Sequence, residues 1–265
     1  MTCRFDADTA VRDCGDGRFE ARLDPGWWVM AGPNGGYIAA VVLRALALAA
    51  DDASRAPRSL TIHYTAPPAE GPAQIETRVE RVGRSLTTLS GRLLQGDRLL
   101  ALALAAFSRP RTGPAFEDAS MPEVPPPERC PDLEERIPIH ARYEQRWALG
   151  SLPFSGGDRA LCGGWIRLAE PRVNDALAVA AFTDAFPPAL FSVVDDDTLA
   201  GGVPTIDLTI HFRAALPLAG AAPDAWVLST FQSHVARDGF VEENGEIWSR
   251  DGILLAQSRQ LALVT

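Results

Sequence analysis

The heptad Leu60-Thr61-Ile62-His63-Tyr64-Thr65-Ala66 returns 148 residues later as Leu208-Thr209-Ile210-His211-Phe212-Arg213-Ala214, identical at five of seven positions. Both copies alternate apolar with polar side chains, the period-two pattern of a strand with one buried face. A second pair keeps the order. Residues 91–101, GRLLQGDRLLA, align with 245–255, GEIWSRDGILL, at an offset of 154. Two collinear matches at similar offsets indicate duplication of a unit of about 110 residues, an ordinary domain size.

Working outward from the heptads, each unit reads as one helix followed by strands. In the first, Asn34 is placed to cap a helix over 35–50, GGYIAAVVLRALALAA, whose apolar character nearly all round demands burial on most faces. Strands follow over 60–64, 73–82, 85–94 and 99–107, separated by Pro-Pro, Gly-Arg and Gly-Asp turns. In the second unit, Asn174 or Asp175 starts a helix through about Phe186, stopped by Pro187-Pro188, with strands near 205–212, 225–236, 239–248 and 252–264. Residues 109–130 are rich in Pro and acidic side chains and read as a linker. The expected division is an N-terminal unit over 1–112, a Pro-rich linker and connecting segment over 113–150, and a C-terminal unit over 151–265.

The chain has 265 residues, 46% hydrophobic and 22% charged, the composition of a globular protein. Its longest apolar stretch is broken by Arg44, well short of the roughly 20 residues of a bilayer crossing, and no membrane partner is expected. The start, MTCRFDADTA, lacks a basic region followed by an apolar core, so the expected location is cytoplasmic. All 25 basic residues are Arg, which removes phosphate-loop lysines, Schiff bases and lipoyl or biotinyl attachment. A net charge of -9 argues against a nucleic-acid partner. Cys3, Cys14, Cys130 and Cys162 form no CxxC pair, and His63, His140, His211 and His234 form no HExxH or HxH pair, so neither a metal nor a redox dithiol is expected. GxSxG and GxGxxG are also missing.

The duplicated helix-and-strand pattern, Gly35-Gly36-Tyr37 opening the first helix, Thr205-Ile206-Asp207, Asp251-Gly252 and Gln260 together resemble the double hotdog acyl-CoA thioesterases of the thioesterase II type. The resemblance covers almost the whole chain. It implies an α+β double hotdog, two antiparallel sheets each wrapping a central helix, that hydrolyses an acyl-CoA substrate without a cofactor. It also implies that Asp184, Thr205 and Gln260 hold the attacking water. The family commonly continues Thr-Ile-Asp with His, where this chain has Leu208.

Read by themselves, these residues leave more than one reading open. Asp184 projects along a small apolar face, where a carboxylate is either functional or solvated near a helix end; desolvation would make it a better base. Thr205 follows Pro204, where a hydroxyl often serves the backbone. Gln260 lies in a mostly apolar final strand in which its amide must find partners, with Gln257 as competitor. Gly35, Gly36 and Tyr37 are candidate substrate contacts, since free amides at a helix start can polarise a thioester carbonyl; a tight turn is the plainer alternative. Trp27 and Trp28 fit either an acyl pocket or the core. Only the second unit carries the polar set. A non-catalytic acyl-CoA-binding hotdog protein is the rival from another class, and a hotdog dehydratase would need a helix His that neither helix supplies. A homo-oligomer is compatible with these readings, although the duplication already provides paired units.

Overall fold

The computed structural model describes residues 3–29, 32–133, 137–195 and 202–265. After a short helix α1 (Arg4–Asp8), the first half forms β1 (Val11–Asp13) and β2 (Arg18–Leu23), a small ribbon of β3 (Trp28–Val29) and β4 (Gly32–Pro33), and helix α2 (Gly35–Ala49). A meander of β5 (Ala56–Tyr64), β6 (Gly71–Val82), β7 (Leu86–Gln95) and β8 (Arg98–Ser108) follows. The second half has β9 (Tyr143–Gly150), β10 (Leu161–Leu168), helix α3 (Ala176–Phe182), β11 (Thr205–Phe212), β12 (Val227–Gln232), β13 (Ala236–Arg237), β14 (Phe240–Ser249) and β15 (Leu254–Leu263).

The two expected sheets are one. Among the described residues, twelve strands run continuously in the order β1-β2-β6-β7-β8-β5-β11-β15-β14-β12-β10-β9, and β13, attached to β14, is the thirteenth. The seam is made by the repeated heptads themselves: β5 pairs antiparallel with β11, with Thr61 opposite Thr209, Leu60 opposite Ile210 and Ile62 opposite Leu208. Because both copies carry the same alternation, antiparallel pairing superposes their apolar faces, and all four aliphatic side chains are fully buried. The threonine hydroxyls meet on the other face at 3.1 Å. An apolar strand edge left open would template association, and fusing the two edges removes both.

Helix α2 follows the sequence reading closely. Asn34 caps it by accepting from the Tyr37 amide at 3.0 Å, and ten of its residues, from Gly36 through Leu46, are buried against β5–β8 and α3. Helix α3 is shorter than expected. Asp175 is the cap, accepting from the Leu177 and Ala178 amides, but the helix ends at Phe182 because the Thr183 hydroxyl takes the Ala180 carbonyl. The Pro-rich stretch is irregular up to a short 3₁₀ turn at Pro127–Arg129, yet it is not a free linker. Met121, Val124 and Cys130 pack on Trp165, Trp226 and Trp248, and the Trp165 indole donates to the Pro125 carbonyl at 2.8 Å. Strands β2, β9 and β10 were not expected; β9 lies within the stretch read as connecting segment and forms the far edge of the sheet.

Candidate active site

Asp184 sits two residues past the end of α3, in a turn rather than in a helix. That turn is held from several sides. Gln145 on β9 donates to the Ala185 carbonyl at 2.8 Å, the Cys162 thiol donates to the Pro187 carbonyl at 3.1 Å, and the Ala189 amide donates to Glu243 at 2.6 Å. Its carboxylate faces the start of α2, in the other half of the chain. Asn34 Nδ2 donates to Asp184 Oδ2 at 2.9 Å and also to the Asp184 main-chain carbonyl, while the Gly36 amide donates to Oδ2 at 3.2 Å. The helix start therefore meets a carboxylate with free N–H groups and the positive end of its dipole.

Close approach explains the two glycines. A Cβ on Gly36 would lie 2.5 Å from the Ala181 carbonyl oxygen, and one on Gly35 would lie 2.9 Å from Asp184 Oδ2 and 3.1 Å from the Tyr64 hydroxyl. Tyr64, at the end of β5, donates to the Gly35 carbonyl at 2.7 Å. The amides expected to be free for substrate thus face Asp184. The Tyr37 side chain is fully buried, stacked on Trp27 at 5.0 Å, with its hydroxyl donating to the Asp8 carbonyl and accepting from the Asp24 amide. Trp27 is likewise core, its indole bonded to Asp8.

Thr205 and Gln260 meet beside this carboxylate. The Thr205 hydroxyl is 3.1 Å from Gln260 Oε1, to which it donates, and the Gln260 side chain lies near enough to Asp184 to favour the charged form of its carboxyl. Gln257 drops out because the strand alternation turns it to the outer face, where it donates to Glu246; Gln260, two pleats away from Ala256, is buried. Leu208, at the position where the family pattern has His, is fully buried in the seam between Ile62 and Gln260. Burial pushes the Asp184 carboxyl up to about 6, against the opposing pull of the Gly36 and Gly35 amides and Gln260, which favour its charged form.

Sequence reasoning missed four neighbours: Asn34 as a partner of Asp184, Tyr64, Gln145 and Glu243. Glu243 is the one with a legible signal. It stands in FVEENGEIWS at an inward position of the alternation, between Val241 and Gly245, and a charged side chain on the buried face of a strand needs a reason.

With this geometry in view, comparison with known proteins is direct. Residues 24–108 match the model of the acyl-CoA thioesterase N-terminal domain, and residues 117–264 match that of the acyl-CoA thioesterase C-terminal domain. The chain belongs to the acyl-CoA thioesterase family. It is similar to a conserved hot dog fold protein of unknown function from Alicyclobacillus acidocaldarius, with 29% identity, a TM-score of 0.90, and coverage of 100% of this chain and 99% of that one. A candidate thioesterase II from Thermobifida fusca is also 29% identical, with a TM-score of 0.84 over 99% of this chain and 97% of the other. Among curated proteins, the thioesterase-like protein TwmA of Talaromyces wortmannii is 24% identical over 98% of this chain and 91% of its own length. The thioesterase fold assigned here is thus a hotdog fold built on one large antiparallel sheet.

Proposed function

We propose that the protein hydrolyses an acyl-CoA thioester to the free acid and CoA, using a water activated at Asp184. The observation that supports this reading is the approach of Asp184, Thr205 and Gln260, separated by up to 76 positions in sequence: Thr205 donates to Gln260, and Gln260 favours the charged form of the Asp184 carboxyl beside it. In the reaction, Asp184 in its ionised form accepts a proton from the water as the water oxygen attacks the thioester carbonyl. The tetrahedral oxyanion then collapses, the carbon–sulfur bond breaks, and the proton held by Asp184 passes to the departing thiolate. Thr205 and Gln260 orient the water rather than react. A carboxyl with its pKa at about 6 suits this task, being ionised at neutral pH and basic enough to take a proton.

The domain organisation belongs to the same reading: two hotdogs, 1–112 and 151–265, joined through 113–150, whose last stretch, β9, adds the edge strand to the second, and fused edge to edge at the β5–β11 seam. In such a double hotdog the water-holding side chains come from the second half, while Asn34, Gly35 and Gly36 of the first half hold the base. The absence of a His in either central helix weighs against a dehydratase. The test is thiol release, followed with a thiol-trapping dye, from short, medium and long acyl-CoAs. Release that depends on Asp184 is expected for at least one chain length. Saturable acyl-CoA binding with no thiol release at any length would replace hydrolysis by the non-catalytic binding reading.

A further inference from the structure

Resting on the hydrolytic reading of this site, we propose that Glu243 is a positioning residue that fixes the orientation of the Gln260 carboxamide, and through it makes the Thr205 oxygen an acceptor for the attacking water. Glu243 and Gln260 are direct cross-strand partners on β14 and β15, with both side chains on the buried face. Gln260 Nε2 donates to Glu243 Oε1 at 2.7 Å, and the other Glu243 oxygen, Oε2, accepts from the Ala189 amide at 2.6 Å. One carboxylate therefore ties the amide to the turn that carries Asp184.

The consequence follows from counting donors. A primary amide offers two N–H groups on one side and an acceptor oxygen on the other. With Glu243 ionised, the amide nitrogen donates to Glu243, Oε1 faces Thr205, and the side chain favours the charged form of the nearby Asp184. A flipped amide would set its oxygen against the Glu243 carboxylate and its N–H groups toward Thr205, a buried mismatch with a high cost. In the observed orientation Thr205 spends its only proton on Gln260, so its lone pairs are left to accept from a water. In the flipped orientation Thr205 would accept from the amide, and its proton would face the water instead. Protonation of Glu243 favours that second state: Oε2 must stay an acceptor for the Ala189 amide, which puts the proton on Oε1, facing Gln260.

The titratable groups acting on Glu243 are Asp184 from the turn, the Cys162 thiol from β10, and Glu242, its strand neighbour on the opposite face. Burial, with smaller contributions from the Asp184 and Glu242 charges, raises the Glu243 carboxyl to about 7, which sets the switch in the neutral range.

The experiment compares the unchanged protein with Glu243→Gln. The introduced amide must offer its oxygen to Ala189 and its N–H groups to Gln260, and so imitates protonated Glu243. The expected result is a kcat lowered by about 10- to 100-fold, the scale of a misplaced orienting group, with KM changed less than about threefold. The acid limb of log kcat/KM against pH should approach a slope of two in the unchanged protein, where both carboxyls must lose protons, and a slope of one in the variant. Parental turnover in E243Q, or an equal slope in both proteins, overturns the inference. A second reading needs neither turnover nor a variant: the Gln260 side-chain NH₂ signals in the sequentially assigned NMR spectrum should shift with a midpoint near pH 7. Their invariance between pH 5 and 9 overturns it as well. If the unchanged protein releases no thiol from any acyl-CoA while those signals titrate, the hydrolytic reading fails and the Glu243 clamp stands.

Discussion

At the scale of single residues, the site is a balance between the cost of burying a carboxylate and the donors that lower that cost. Asp184→Asn keeps the shape and removes the proposed proton acceptor, so turnover should fall by about 10² or more with folding and acyl-CoA binding retained, as steady-state kinetics and ligand titration would register. The rate of the unchanged protein should fall as pH drops through about 7 and then about 6, where Glu243 and then Asp184 take up their protons. The stability effect of Asp184 has the opposite sign. Since the folded-state pKa lies above the ordinary value of 3.8, folding favours the protonated acid, and stability present at low pH is lost as pH rises to about 6. The Asn variant should therefore match its parent in melting temperature at pH 3.5 and exceed it at pH 7.5; an advantage confined to acid would contradict the assignment of burial as the cause. Gln260→Ala should reduce turnover less than Asp184→Asn. It should also cost about 1–3 kcal/mol in denaturant unfolding, because the buried Glu243 loses its amide partner.

At the scale of elements, the approach of α2 to α3 decides how close the Asp184 carboxylate lies to its donors. Two glycines side by side should behave differently. Gly36→Ala drives a methyl into the Ala181 carbonyl, main chain that cannot swing away, and should destabilise by about 1–3 kcal/mol in calorimetry or denaturant melts. Gly35→Ala meets the Asp184 carboxylate and the Tyr64 hydroxyl, which are side-chain atoms that can shift. Its expected signature is a larger loss in kcat than in stability, and a variant with normal kcat and a collapsed melting temperature would refute it. The length of α3 was misread for a local reason. Pro187-Pro188 marks where a helix must have ended, but Thr183 ends it earlier by bonding back to Ala180, a choice that sequence pattern does not reveal. Strand β10, LCGGWIRL, carries no alternation for a sequence reading to detect, because it is buried almost throughout and Gly163 and Gly164 sit where neighbouring main chain leaves no room for a Cβ.

At the scale of the whole molecule, the β5–β11 seam joins the halves, and one core cluster includes residues from both, Leu43 and Ile62 together with Phe182 and Ile210. Unfolding should accordingly appear as a single transition by calorimetry. Leu60→Ala, a truncation at the seam, should lower stability by about 2–5 kcal/mol and shift that one transition as a unit. Two separated transitions, with only one moved by the substitution, would show that the halves fold independently. The covering of the second half's outer face by residues 121–130 is also a property of the whole, because the three tryptophans beneath come from β10, from just before β12, and from β14.

The sequence by itself determined the duplication, the buried first helix with its Asn34 cap, the strand-rich remainder and three polar candidates, because each is written in local pattern: identity between repeats, period of hydrophobicity, or a short motif. Alternation even held the clue to Glu243, an acid at an inward position. What pattern cannot express is which edge meets which, and only the tertiary structure decided that the repeated heptads pair with each other and turn two expected sheets into one. The same holds for the setting of Asp184. Its donors Asn34 and Gly36 lie 150 and 148 positions away in the other half, and its pKa comes from burial, a property of three-dimensional surroundings that no window of sequence contains.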